Sequence, residues 1–142
     1  MAISTHNLQY RHPGEDAVLR FPDLDLSQGS CALLLGDSGS GKSTFLHILA
    51  GLLPPLEGQA LLAGQDLYRL SSRKRDHWRG HHLGIIFQQH FFLPYLSLSE
   101  NLALAGKMQG QDLSSEAIRL GLDSLSIGHL ASKKPPQCSV GE

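Results

Sequence analysis

Eight consecutive residues, Gly36-Asp37-Ser38-Gly39-Ser40-Gly41-Lys42-Ser43, match the spacing G-x-x-x-x-G-K-[ST], and each residue type in it suits the capture of a polyphosphate. A triphosphate is a dense anion, best held by several N–H groups that converge on it. Glycines at 36, 39 and 41 let successive backbone N–H groups do so, because a Cβ would block the approach or forbid a positive φ. A helix starting at the end of this run adds unpaired N–H groups and about half a positive charge. Lys42 contributes a point charge toward the β and γ phosphates. The Ser43 hydroxyl suits Mg2+, a hard ion that takes oxygen ligands and keeps several waters. The expected binding set is Gly36, Ser38, Gly39, Ser40, Gly41, Lys42, Ser43 and Thr44, with Ser43 as a metal ligand. A plain glycine-rich turn has no use for a Lys-Ser pair at this spacing.

Such a loop works only between a strand and a helix, and the flanks supply both. Cys31-Ala32-Leu33-Leu34-Leu35 is a short apolar run of the kind that forms a buried parallel strand. Phe45, Leu46 and Leu49 recur at helical spacing after the loop. Upstream, residues 3–10, 17–26 and 30–35 read as three strands, separated by the turn clusters His12-Pro13-Gly14 and Ser27-Gln28-Gly29. Gly51 and Pro54-Pro55 stop the helix, and residues 58–63 read as a fourth strand ending at Gly64. A short helix over 71–79 leads into Leu83-Gly84-Ile85-Ile86-Phe87, a second run of buried-strand type that delivers Gln88 and Gln89 to a loop. The remainder reads as helical. Ser97 and Glu100 fit a capping box ahead of Leu98, Leu102 and Ala105. Further short helices are expected over 114–120, stopped by Gly121, and near 124–130.

The chain has 142 residues, 41% of them hydrophobic and 18% charged, enough for one globular domain with a core. Its net charge of −1 creates no field for nucleic acid, and the stretch from Arg73-Lys74-Arg75 to Arg79 reads as a solvated helix face. Cys31 and Cys138 have neither metal-site nor CxxC spacing; the default is reduced thiols in a cytosol-like compartment. No charged segment followed by an apolar stretch opens the chain, and no run approaches ~20 apolar residues, so the expectation is a soluble chain or one docked to a membrane through a partner. His77, His81, His82 and His90 cluster among eight histidines. Gly80 and the approaching strand argue against a continuous helix that would align His77 with His81, so no metal site is expected there.

With this order established, the chain resembles the nucleotide-binding subunit of an ATP-binding cassette (ABC) transporter over essentially its whole length. Besides the phosphate loop, the resemblance rests on Gly84-Ile85-Ile86-Phe87-Gln88, and on Phe92-Leu93-Pro94-Tyr95-Leu96-Ser97 followed by Glu100-Asn101-Leu102. The second stretch is similar to cassettes serving lipoprotein-release and macrolide exporters. The resemblance implies an α/β P-loop NTPase fold, divided here into a β-rich phosphate-loop core at 1–88 and a helical subdomain at 89–142. It implies ATP and Mg2+ as ligands, a transmembrane permease subunit and a second cassette as partners, no nucleic acid, and a cytoplasmic, peripheral position on the inner face of the cell membrane. Gln88 would position Mg2+ or the attacking water. His12 takes the register of the family's adenine-stacking aromatic; it stacks on the base or is a plain turn residue, with Tyr10 as a substitute. The apolar cluster at 91–96 lies where cassettes receive the membrane subunit, and is either tucked onto the helical subdomain or presented to that partner.

The last residues depart from the family pattern. Pro135-Pro136-Gln137-Cys138-Ser139-Val140-Gly141-Glu142 resembles the L-S-G-G-Q signature, with Ser139 and Gly141 matching outright while Cys138 and Val140 replace a Leu and a Gly. Ser139 and Gly141 would meet nucleotide held by a second cassette. The 142 residues include none of the family's later parts: the strand with a magnesium-holding aspartate, the adjacent glutamate that activates water, or the switch histidine. A truncated product or fragment is therefore expected, with residues 31–35 left without strand partners. Transport-coupled ATPase activity is implied for the complete cassette and not expected of these residues alone; the alternative is a truncated non-hydrolytic nucleotide- or partner-binding module, and a small P-loop phosphotransferase is more remote.

Overall fold

The computed structural model describes residues 2–87 and 91–139, which divide into two compact units, one ending at Leu83 and one beginning at Gly84. The first unit is built on β1, Ile3–Arg11. Along one edge it pairs with β2, Val18–Arg20, and β3, Leu24–Leu26. Along the other it pairs with β4, Glu57–Leu62, which in turn pairs with β5, Gln65–Asp66. Every pairing is antiparallel. The expected single strand over 17–26 is two strands. Pro22 has no N–H to give a ladder, and Thr5 bridges the break: its hydroxyl donates to the Pro22 carbonyl at 3.1 Å and accepts from the Leu24 N–H at 2.9 Å.

Helix α1, Lys42–Leu49, presses Phe45, Ile48 and Leu49 onto Leu8, Tyr10 and Ala60 of the sheet. Tyr68 closes this core from a 3₁₀ turn at Leu67–Arg69. Its hydroxyl donates to the carbonyls of Ile48 and Leu53, and burial pushes its pKa far above the ordinary phenol value, so it stays protonated.

Residues 31–35 correct the sequence reading. They form no strand, and Leu33 and Leu35 are 81% and 78% exposed. A parallel strand buried on both faces needs neighbours on both sides, and among the described residues none pairs with this run. Residues 83–87 likewise form no strand, with Ile86 97% exposed.

Helix α2 is longer than expected, running through Gly80 from Ser72 to His82. A glycine inside a helix costs only about 1 kcal/mol relative to alanine, and here the flanking turns are anchored. Arg79 pairs with Asp76 at 2.9 Å and donates to the Gly51 carbonyl at 3.0 Å.

In the second unit, α3, Leu98–Met108, opens with the expected capping box: Ser97 Oγ accepts from the Glu100 N–H, and the Glu100 carboxylate accepts from the Ser97 N–H. Two further N–H groups of its first turn, those of Leu98 and Ser99, donate to the carbonyls of Lys133 and Ala131. Helix α4, Ser115–Ser124, passes through Gly121 instead of stopping there, and buries Ile118 and Leu122. In place of a helix over 124–130, Ser126 takes a φ of 62° and a 3₁₀ turn follows at Gly128–Leu130, with Leu130 buried.

Candidate functional site

The phosphate loop lies wholly in the first unit, between residue 35 and α1. Gly41, just before the helix, has a φ of 90°, which a β-carbon would strain. A β-carbon would also be crowded, meeting Leu19 Cδ1 at 3.1 Å and Phe21 Cε1 at 3.3 Å. Leu19 and Phe21 thus form the floor on which the loop ends, a role that no spacing in the sequence announces. At Gly36 a β-carbon would come within 2.8 Å of Ser40 Oγ, so the two sides of the loop approach each other closely. Its own backbone braces it as well, with the Ser40 N–H donating to the Asp37 carbonyl.

Lys42 folds back across this loop. Its ammonium donates to the carbonyls of Gly36 at 2.8 Å and Asp37 at 2.6 Å, with Ser40 Oγ at 3.4 Å. The positive charge is therefore held within the loop itself. The first bond of α1 runs from the Phe45 N–H to the Gly41 carbonyl, and no side chain caps the helix. Helix geometry leaves the N–H groups of Lys42, Ser43 and Thr44 without acceptors inside it. Ser38 and Ser43 are exposed beside them. Uncapped N–H groups, a helix dipole, an ammonium and hydroxyls fit a polyphosphate accompanied by a hard divalent ion.

His12 reaches this site from a turn 32 residues upstream. Its Nε2 lies 3.4 Å from Thr44 Oγ1 in the first turn of α1, and its ring stands edge-on to Tyr10 at 4.9 Å and 87°. Tyr10, the substitute weighed for base stacking, is 7% exposed within the core. Its face is taken by packing, which leaves His12 as the half-exposed ring beside the loop.

The other expected residues belong to the second unit. Ser139 is exposed, after a turn at Pro135–Gln137 and an extended Cys138. Gln88 and Gly141 lie outside the described residues. In the cluster at 91–96, Phe91 and Tyr95 are exposed while Leu93 and Leu96 are partly covered. Asn101, not singled out for any role from the sequence, pins this stretch. Its carbonyl oxygen accepts from the Leu93 N–H at 2.8 Å, and its amide donates to the carbonyls of Leu93, Leu96 and Ser97. Cys31 and Cys138 are both free thiols, and no described helix is long and apolar enough to cross a membrane.

Comparison with known proteins places the chain in a family. The family model for ABC transporters matches residues 19–142. The chain is 37% identical, over its whole length, to the lipoprotein-releasing system ATP-binding protein LolD 1 of Rhodopirellula baltica, and 40% identical over 88% of its length to LolD of Shewanella oneidensis. It spans 63% and 55% of the lengths of these relatives. Among solved structures, the dimeric bacterial ABC transporter cassette MJ0796 superposes with a TM-score of 0.84 at 26% identity, covering 98% of this chain and 64% of that one. A post-hydrolysis state of the same cassette, bound to ADP and Pi, gives 0.83 at 25% identity over 96% of this chain and 63% of that one. The fold is the α/β fold of P-loop NTPases in its cassette form, and the chain belongs to the ABC transporter family.

Proposed function

We propose that these residues are the nucleotide-binding part of an ABC transporter ATP-binding subunit, taking up MgATP at residues 36–44. The loop N–H groups and Lys42 hold the phosphates, and in doing so Lys42 exchanges two carbonyl partners for phosphate oxygens. The Ser43 hydroxyl would offer an oxygen ligand to Mg2+, which would supply charge neutralisation at the phosphates, and Gln88, by the family resemblance, would position Mg2+ or the attacking water. His12 lies under the base. Ser139 and Gly141 serve nucleotide held by a second cassette. The observation that carries this reading is the uncapped start of α1, with the Lys42 ammonium held across the loop beside it.

The names of the relatives support release of lipoproteins as the transport that the complete subunit powers. The partner is then a transmembrane permease on which cassettes sit in pairs at the inner face of the membrane. The exposed Phe91 and Tyr95, on a stretch pinned by Asn101, suit contact with that permease. The division into a core at 1–88 and a helical subdomain at 89–142 belongs to the same reading. The family's water-activating glutamate has no counterpart in these 142 residues, so they bind nucleotide without turning it over.

Calorimetric titration of the 142-residue chain with MgATP tests the proposal. One nucleotide should bind, and Lys42→Ala should weaken it roughly tenfold to a hundredfold, as expected for removal of charged hydrogen bonds. Phosphate release should equal that of the variant. Absence of binding by folded protein, or an affinity that Lys42→Ala leaves unchanged, would overturn the reading.

A further inference from the structure

The continuity of α2 changes the meaning of its histidines. His77 and His81 sit four residues apart on one unbroken helix, both exposed, with ring centroids 4.2 Å apart. Nδ1 of His81 lies 2.8 Å from the His77 carbonyl oxygen. A carbonyl can only accept, so the proton of the neutral ring is on Nδ1, and Nε2 carries the lone pair. A ring nitrogen tied to a backbone carbonyl is the arrangement that orients metal-binding imidazoles and raises their basicity. Two histidines at i and i+4 on one helix face are in reach of a single ion.

We propose that His77 and His81 chelate one first-row divalent transition cation on the exposed face of α2, with water in its remaining positions. No group of three or more metal-binding side chains exists among the described residues, so the site is two-coordinate in protein ligands and open. Its surroundings narrow the choice of ion. Arg73 and Lys74 precede His77 by one helical turn, and the carboxylate next to it in sequence, Asp76, is engaged by Arg79. A hard ion such as Mg2+ or Ca2+ gains nothing from imidazole and is repelled by this charge. Cu2+, at the head of the affinity order for nitrogen ligands, overcomes it best, followed by Ni2+ and Zn2+.

A reporter is built in. Trp78 is the only tryptophan in the chain, and its ring stacks on His82, the residue beside His81, at 4.3 Å and 10°. Cu2+ bound at the pair should quench its fluorescence. Titration of the 142-residue chain with Cu2+ alone, followed by Trp78 emission and by calorimetry, should give one tight equivalent. His77→Ala and His81→Ala should each weaken it by about tenfold or more, since loss of either ligand removes the chelate advantage. His82→Ala, followed by calorimetry, should leave the affinity unchanged. Because all three positions are exposed, thermal unfolding without metal should be the same in each variant, which separates ligand loss from misfolding. The proposal is overturned by wild-type affinity in both single variants, by a loss in only one of them, or by an equal loss in His82→Ala. Failure of MgATP binding has no bearing on this outcome, so the two readings stand or fall separately.

Discussion

Two stretches of the first unit, each read as a strand from its sequence, meet opposite environments. Strand β1 has partners on both edges, and its Leu8 is 1% exposed beneath α1. The run at 31–35 is the more uniformly apolar, yet it pairs with nothing described and leaves Leu33 81% exposed. Side-chain chemistry is therefore not what separates them. The antiparallel partners of β1 all come from residues 18–62 of the first unit, whereas a parallel strand needs neighbours brought in by crossovers. The difference teaches that the β-rich layer and α1 fold on local resources, and that the run feeding the phosphate loop does not.

The sharpest way to break this comparison is to cut the same side chain in both places. Leu8→Ala should lower the unfolding free energy by about 2–5 kcal/mol, as for a fully buried leucine. Leu33→Ala should change it by less than about 0.5 kcal/mol, as at an exposed site. Denaturant unfolding of the two variants checks both values, and comparable losses would mean that residues 31–35 are packed in solution. The exposed run also predicts self-association of the wild-type chain, which Leu33→Lys with Leu35→Lys should relieve in light scattering.

A smaller effect contrasts the helical unit with the sheet. Asn101→Ala removes the partner of the Leu93 N–H and of the Leu96 carbonyl, and one of two donors to the Leu93 and Ser97 carbonyls, and should cost about 1–3 kcal/mol. Amide exchange at Leu93 should accelerate while that of β1 stays unchanged. Smaller again is the capping box. Ser97→Ala should cost about 1 kcal/mol of helical stability. Bonds from the Ser97 N–H and hydroxyl hold the Glu100 carboxyl below its ordinary value. Its contribution is therefore complete above the usual glutamate range and is lost as pH falls through the lower folded value. An acid titration followed by circular dichroism should show this step reduced in Ser97→Ala, which keeps the backbone bond, and absent in Glu100→Ala.

Much of this architecture was readable from residue order, and the exceptions share a cause. The phosphate loop, α1 and the capping box depend on residues within a few positions of each other, so spacing alone located them. Runs 31–35 and 83–87 were read as strands because apolar composition reports a preference for burial, while strand formation depends on a partner that composition cannot name. Gly80 and Gly121 were read as stops because glycine disfavours helix, a cost too small to end a turn anchored by Arg79 or by the fork of Arg119 onto Glu116 and Asp123. That one misjudged glycine concealed the alignment of His77 with His81. Likewise, the placement of His12 against Thr44, the floor made by Leu19 and Phe21 and the fourfold grip of Asn101 are tertiary facts that no local pattern encodes.

The central claim is that backbone N–H groups around the start of α1 receive phosphate. Its most direct measurement is a titration of the 15N-labelled chain with inorganic pyrophosphate and Mg2+, following the amide resonances of Gly39, Gly41, Lys42 and Ser43. These four should shift together and saturate, while the amides of residues 31–33 and of α4 stay in place. Unmoved loop amides in folded protein, or shifts spread evenly over the chain, would contradict the account.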